Sequence, residues 1–158
     1  MKRDSLRLTM CVNTISTVKY PYIPGLFMMR ESEPLLNALN FLENLFDLLL
    51  IDAHGTIHPR LCGLASYIGF LINKPTIGIG KKLLCGSVRD DQFIEINGIV
   101  AGFRLKKENK KPIYISIGHR ISLETATQIV ENMIRPNEWI PEPLRIADRL
   151  SKRIAQCF

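Results

Sequence analysis

A chain of 158 residues, 46% hydrophobic and 23% charged, has the size and composition of one domain over residues 1–158, and excludes a stapled miniprotein, a low-complexity tract or a repeat array. Lysine and arginine outnumber the acids 21 to 15, and the net charge of +6 with a pI near 9.3 favours a polyanionic partner such as nucleic acid. No apolar run approaches the ~20 residues of a membrane span, MKRDSLRLTM lacks the pattern of a signal peptide, and Cys11, Cys62, Cys85 and Cys157 form no CxxC pair, so the expected compartment is the reducing cytoplasm.

Residues 5–20, SLRLTMCVNTISTVKY, alternate and are rich in β-branched side chains, which predicts two short strands or one bent one. Pro21 and Pro24 preclude regular structure in PYIPG and present Tyr22 from a stiff loop. A helix is expected over 32–48, with Ser32 as N-cap, Pro34 in its first turn, and Leu35, Leu36, Leu39, Leu42 and Phe46 on its apolar face. A buried strand then ends at Asp52 in LLLIDAHGTIHPR, residues 48–60. In open α/β sheets, functional groups gather just beyond the carboxyl ends of strands, although an acid there also serves as an ordinary turn residue.

Downstream, 61–73 suits a helix whose Gly63, Ala65, Ser66 and Gly69 allow close packing, and 75–79 a short buried strand. Asn97-Gly98 between 93–96 and 99–105 is a two-residue hairpin signal, and 111–117 alternates as a further strand. Lys106–Lys111, KKENKK, is either a phosphate-tracking patch or a solvated turn. Ser122 caps a helix reaching Met133, and Pro143 opens a last helix running to about Ala155. Strands followed by mixed strands and helices with parallel crossovers give an α/β domain.

Glu31, Asp52 and Asp148 are carboxylates from three different elements, the pattern that holds magnesium or manganese together with water and substrate phosphate. The simpler alternative is a helix-start acid and an Asp148 paired to Arg145 or Lys152 on its own helix.

Five blocks narrow this choice: PYIPGLFMMRE at 21–31, LLLIDAHGTIHPRLCGLAS at 48–66, PTIGIGKKLLCG at 75–86, YISIGHRIS at 114–122 and IPEPLRIADRL at 140–150. In order and approximate spacing they resemble the endonuclease V family over most of 17–152. The resemblance implies a ribonuclease-H-like mixed sheet flanked by helices. It also implies a metal-dependent cut at the second phosphodiester 3′ to deoxyinosine in DNA, or to inosine in RNA, in repair of deaminated adenine. Carried over by position, Asp52, Glu31 and Asp148 would be ligands of Mg²⁺, with Mn²⁺ as substitute, and Lys81 would stabilise phosphate charge. Tyr22 resembles the family's wedge residue, which fills the gap left by an extruded base. Gly25, Gly55, Gly63, Leu64 and Leu84 would form the base pocket, with His58 and His119 bonding loops or phosphate. Ala53 stands where many relatives have Gly, and His54 receives no role.

One departure stands out. The family's first strand ordinarily carries another metal-binding Asp in a GVDVSY-like motif, which nothing in residues 1–20 resembles, so the expected domain is N-terminally shortened. Asp4, the one acid before Pro21, lies on the wrong segment to substitute. A sheet edge exposed by the missing strand would invite self-association. The alternative to the nuclease is therefore a catalytically impaired homologue that binds inosine-containing nucleic acid without cutting it.

Overall fold

The computed structural model describes residues 1, 5–42 and 45–156. Among these residues six strands form one mixed sheet in the order β1-β2-β6-β5-β4-β3: β1 Leu49–Ile51, β2 Thr76–Gly80, β3 Ser87–Arg89, β4 Phe93–Ile96, β5 Ile99–Leu105 and β6 Ile113–His119. Only β1 and β2 are parallel, joined through helix α2, Leu64–Ile72; every other pair is antiparallel. Helices α1 (Phe27–Asn40), α3 (Leu123–Asn132) and α4 (Glu142–Ala155) complete the chain.

The sheet sorts its faces by alternation, with register shifts at Thr76/Ile77 and Ile94/Glu95. Ile77 and Ile79 of β2, with Ile113 and Ile115 of β6, pack on one side against Ala126, Ile129 and Val130 of α3 and Leu144 of α4. Thr76, Gly78 and Gly80 of β2 and Ser116 of β6 point to the other side. There Thr76 Oγ1 donates to the Ala65 carbonyl of α2, and Ser116 Oγ accepts from the Gly55 N–H at 2.8 Å. These small residues leave room for the 53–63 loop to lie directly on the sheet. A second cluster joins α1, β1 and α2 through Leu39, Ile51, Leu64 and Ile68, and a third places Ile57 of the loop against Ile94 and Ile96 of β4.

Two expectations need correction. Among the described residues, 5–20 contributes no strand to the sheet: Leu6 packs on the α3 cluster while Leu8, Met10 and Ile15 are exposed. Strand propensity expresses packing against a neighbouring strand, and among the described residues this segment shows one isolated bridge residue, Arg7, and no strand. The first helix begins at Phe27, not Ser32, and ends at Asn40. The turn closed by the Leu26 N–H on the Ile23 carbonyl at 2.9 Å nucleates it earlier than a polar cap would, which leaves Pro34 in the helix interior.

Candidate active site

Asp52 directly follows β1 and Lys81 directly follows β2, so the parallel pairing brings both to the same end of the sheet. Lys81 Nζ lies 2.5 Å from Asp52 Oδ2 and 4.0 Å from Asp148 Oδ1, the latter supplied by α4. Lys152, one turn beyond Asp148, donates to its other oxygen at 2.7 Å. That bond holds the Asp148 carboxyl below its ordinary range, with the Lys81 charge adding to the pull. All three side chains of the cluster are 40–48% exposed. Ion pairs this open are screened by solvent and contribute little, so stability gives little reason for the arrangement. Two carboxylates sharing one cation is also the donor set that binds Mg²⁺ when a phosphate and water complete the sphere, so Asp52 and Asp148 fit such an ion.

Glu31 does not join them. Its carboxylate pairs with Arg30 Nε at 3.3 Å, and among the described residues no three His, Cys, Asp or Glu side chains come close enough together to hold a metal. Asp4 lies outside the described residues.

Tyr22 is 64% exposed on the proline loop, its ring edge-on to Phe27 at 6.4 Å. The loop ends at Gly25, whose φ of +77° suits glycine, and the Gly25 carbonyl accepts from Arg60 Nη1 at 2.9 Å. His58 is buried beneath this tie, and its Nδ1 accepts the Arg60 N–H at 3.2 Å. Burial, then the Arg60 charge, push its pKa down. His58 thus holds a neutral ring under the loop.

The glycines of the expected base pocket are spent on the chain's own backbone. A Cβ on Gly55 would overlap the Ile117 carbonyl, and one on Gly63 the His54 carbonyl. Their N–H groups donate to Ser116 Oγ and to the Gly55 carbonyl. Leu64 is buried against α1, and Leu84 is 54% exposed beyond Lys81. The Ala53 side chain packs among the α1–α2 residues. His119 pairs with Thr76 at the opposite end of β2, four residues or about 13 Å along the sheet from Gly80, and its ring meets Phe70 edge-on. The structure therefore does not bring it to the carboxylates.

A sequence model for the family described as Endonuclease V matches residues 1–149. This chain belongs to the endonuclease V family. It is 42% identical over 139 residues to an endonuclease V of Thermofilum pendens, covering 85% of this chain and 60% of that protein. Against the Aeropyrum pernix enzyme it is 38% identical over 158 residues, covering 96% and 60%. The chain thus spans about three fifths of the length of these curated relatives. Among solved structures, endonuclease V from Streptomyces avermitilis superposes with a TM-score of 0.80 at 34% identity, covering 88% of this chain and 64% of that one. The Ciona intestinalis endonuclease V, solved with a 24mer DNA containing an inosine followed by a ribo-adenosine, gives 0.77 at 29%, covering 89% and 70%. The mixed sheet with flanking helices is the ribonuclease-H-like fold of this family.

Three groups around this cluster escape a reading of residue types alone. Arg60 ties the Tyr22 loop to the Asp52 loop, Ser116 anchors Gly55, and His54 reaches the loop beyond Lys81 with Nε2 2.9 Å from the Lys82 carbonyl. Ser116 left a signal, as a small hydroxyl between two isoleucines of β6; Arg60 and His54 left none without coordinates.

Proposed function

We propose that this chain is a metal-dependent endonuclease acting on inosine-containing DNA or RNA, cutting the second phosphodiester 3′ to the lesion. The observation that carries the reading is the open Asp52–Lys81–Asp148 cluster at the ends of two parallel strands. Asp52 and Asp148 would hold Mg²⁺ or Mn²⁺, with Glu31 reaching the site through water or phosphate. When bound, the ion supplies an activated water and stabilises the leaving oxygen. Lys81, already between the carboxylates, neutralises charge on the phosphate as it is attacked. Tyr22 fills the stack left by the extruded base, and its proline loop, fixed by Arg60 at Gly25, keeps the ring in place. The base pocket lies along the Tyr22 and 53–64 loops, where Gly25, Gly55, Gly63 and Leu64 keep the floor narrow and exposed Leu84 offers an apolar contact. His58 supports that floor, and His119 would meet only a neighbouring nucleotide.

A second reading, binding without cutting, draws support from Glu31 standing apart and from the lack of a three-carboxylate cluster among the described residues. End-labelled inosine-containing DNA and RNA strands, incubated with Mg²⁺, Mn²⁺ or chelator alongside Asp52→Ala, separate the two. Metal-dependent cutting one nucleotide beyond inosine, lost in the variant, establishes the nuclease; retention on inosine strands with no cut establishes the binder.

Two smaller readings accompany this one. Cys11, Cys62 and Cys85 are free thiols, which supports the cytoplasm as compartment, and no described helix is long and apolar enough to cross a membrane. Among the described residues strand β1 has β2 as its single neighbour in the sheet, and pairing of its outer edge with a second copy would appear as concentration-dependent mass in light scattering.

A further inference from the structure

His54 lies two residues beyond Asp52 and belongs to neither the carboxylate cluster nor the Tyr22 loop. Its backbone is fixed by α2, whose Ala65 N–H donates to the His54 carbonyl at 3.1 Å. Its ring crosses to the loop that follows β2, where Nε2 lies 2.9 Å from the carbonyl of Lys82. A carbonyl only accepts, so Nε2 carries the proton and Nδ1 is the bare acceptor. The ring rests on the last residue of β2: a Cβ on Gly80 would overlap it, so glycine there makes the space the imidazole fills. Lys81 stands between these two contacts, held on one side at Gly80 and on the other at Lys82.

Nδ1 is buried with no hydrogen-bond partner among the described residues. An orphaned buried acceptor opposes folding, and an apolar side chain of similar size would avoid that penalty. The residue therefore brings something other than stability. We propose that His54 is a positioning residue for Lys81: through its Gly80 and Lys82 contacts it holds the loop that sets the ammonium against Asp52.

Its effect on cleavage rests on the nuclease reading above, whereas its effect on Lys81 does not, and the experiment separates the two. The full chain and His54→Leu, His54→Gln and Gly80→Ala are treated with a limiting amine-acetylating reagent. Labelling of Lys81 is read by peptide mass spectrometry against exposed Lys110, with Tm measured in parallel. His54→Leu should leave Tm level or raised, yet speed Lys81 labelling about two- to fivefold, the value of an exposed ion pair released. The glutamine amide can place an N–H where Nε2 stood and should restore slow labelling. Gly80→Ala, which displaces the ring from the other side, should likewise speed Lys81 labelling, with a lower Tm from the overlap.

In single-turnover cleavage, His54→Leu should then lose about tenfold or more in rate with strand binding unchanged, since small misplacements of a catalytic group are costly. Unchanged Lys81 labelling in both His54→Leu and Gly80→Ala would overturn the proposal, as would a large fall in Tm without faster labelling. If the parent chain does not cut, the nuclease reading fails while the labelling result still decides the role of His54.

Discussion

The Lys81 ammonium sits 2.5 Å from Asp52 Oδ2 and 4.0 Å from Asp148 Oδ1, bridging a strand end and a helix that are 96 residues apart in sequence by the numbering of the two acids. The three side chains gain little for stability at their exposure, so substitutions should separate chemistry from folding. Asp52→Asn keeps the shape and removes the charge; it should abolish metal-dependent cutting with Tm shifted by no more than ~3 °C, as expected for an exposed pair. Lys81→Met should lower the single-turnover rate about 10²-fold, the usual effect of deleting one charge-stabilising donor, with strand binding nearly intact. Cutting by Lys81→Met at the parental rate would remove the lysine from the mechanism.

Tyr22 projects from a loop with prolines on both sides and an arginine tie at Gly25, so its ring is presented rather than buried. Stacking of a base on such a ring contributes about 1–3 kcal/mol, and Tyr22→Ala should weaken binding to an inosine strand roughly 5- to 150-fold by fluorescence anisotropy in chelator. Tyr22→Phe should bind as the parent does. Equal losses on inosine and adenine strands would assign the ring to general strand contact and not to the lesion.

Gly55 offers a test of how the Asp52 loop is seated. Its N–H is taken by Ser116 Oγ, which in turn donates to the Gly78 carbonyl at 3.3 Å, and a side chain would run into the Ile117 carbonyl. Ser116→Ala leaves a buried N–H unpaired and should lower stability by about 1–3 kcal/mol, or about 3–9 °C in Tm. Gly55→Ala should be worse, with most of the chain recovered insoluble. Full stability of Ser116→Ala would mean that the loop is held by other contacts.

Local signals account for much of what the sequence revealed. Asn97 and Gly98 both take positive φ, 50° and 78°, as a two-residue hairpin demands, and Ser122 accepts the Thr125 N–H at 3.1 Å as a cap. A short buried strand was legible at 75–79, yet the glycines of β2 also mark where another loop lies on the sheet, which residue types alone do not say. Residues 5–20 failed because strand formation depends on a neighbour that residue types do not supply. Three-residue β3 is exposed throughout and carries no apolar pattern. Asp52 was legible as the abrupt end of an apolar run. His54 and Arg60 were not, since each acts by reaching a carbonyl 28 or 35 residues away.

The start of α4 couples acidity to the site. Glu142 is buried, with Oε2 2.8 Å from Arg145 Nε and Oε1 3.0 Å from Arg135 Nε, and it begins the helix that carries Asp148 to Lys81. The Arg145 hydrogen bond, aided by Arg135, holds its carboxyl below the ordinary value of 4.5. A depressed pKa in the folded state means that this pairing stabilises the protein fully above pH 4.5 and is lost as pH falls through the lower folded value. Glu142→Gln should therefore melt about 3–9 °C below the parent at neutral pH, corresponding to about 1–3 kcal/mol for a damaged charged hydrogen-bond set. The gap should narrow progressively below pH 4.5, because the parent loses the same charge there. A gap of constant size from neutral pH down through that range would show that Glu142 acts by shape alone and that its ionisation does not hold α4 in place.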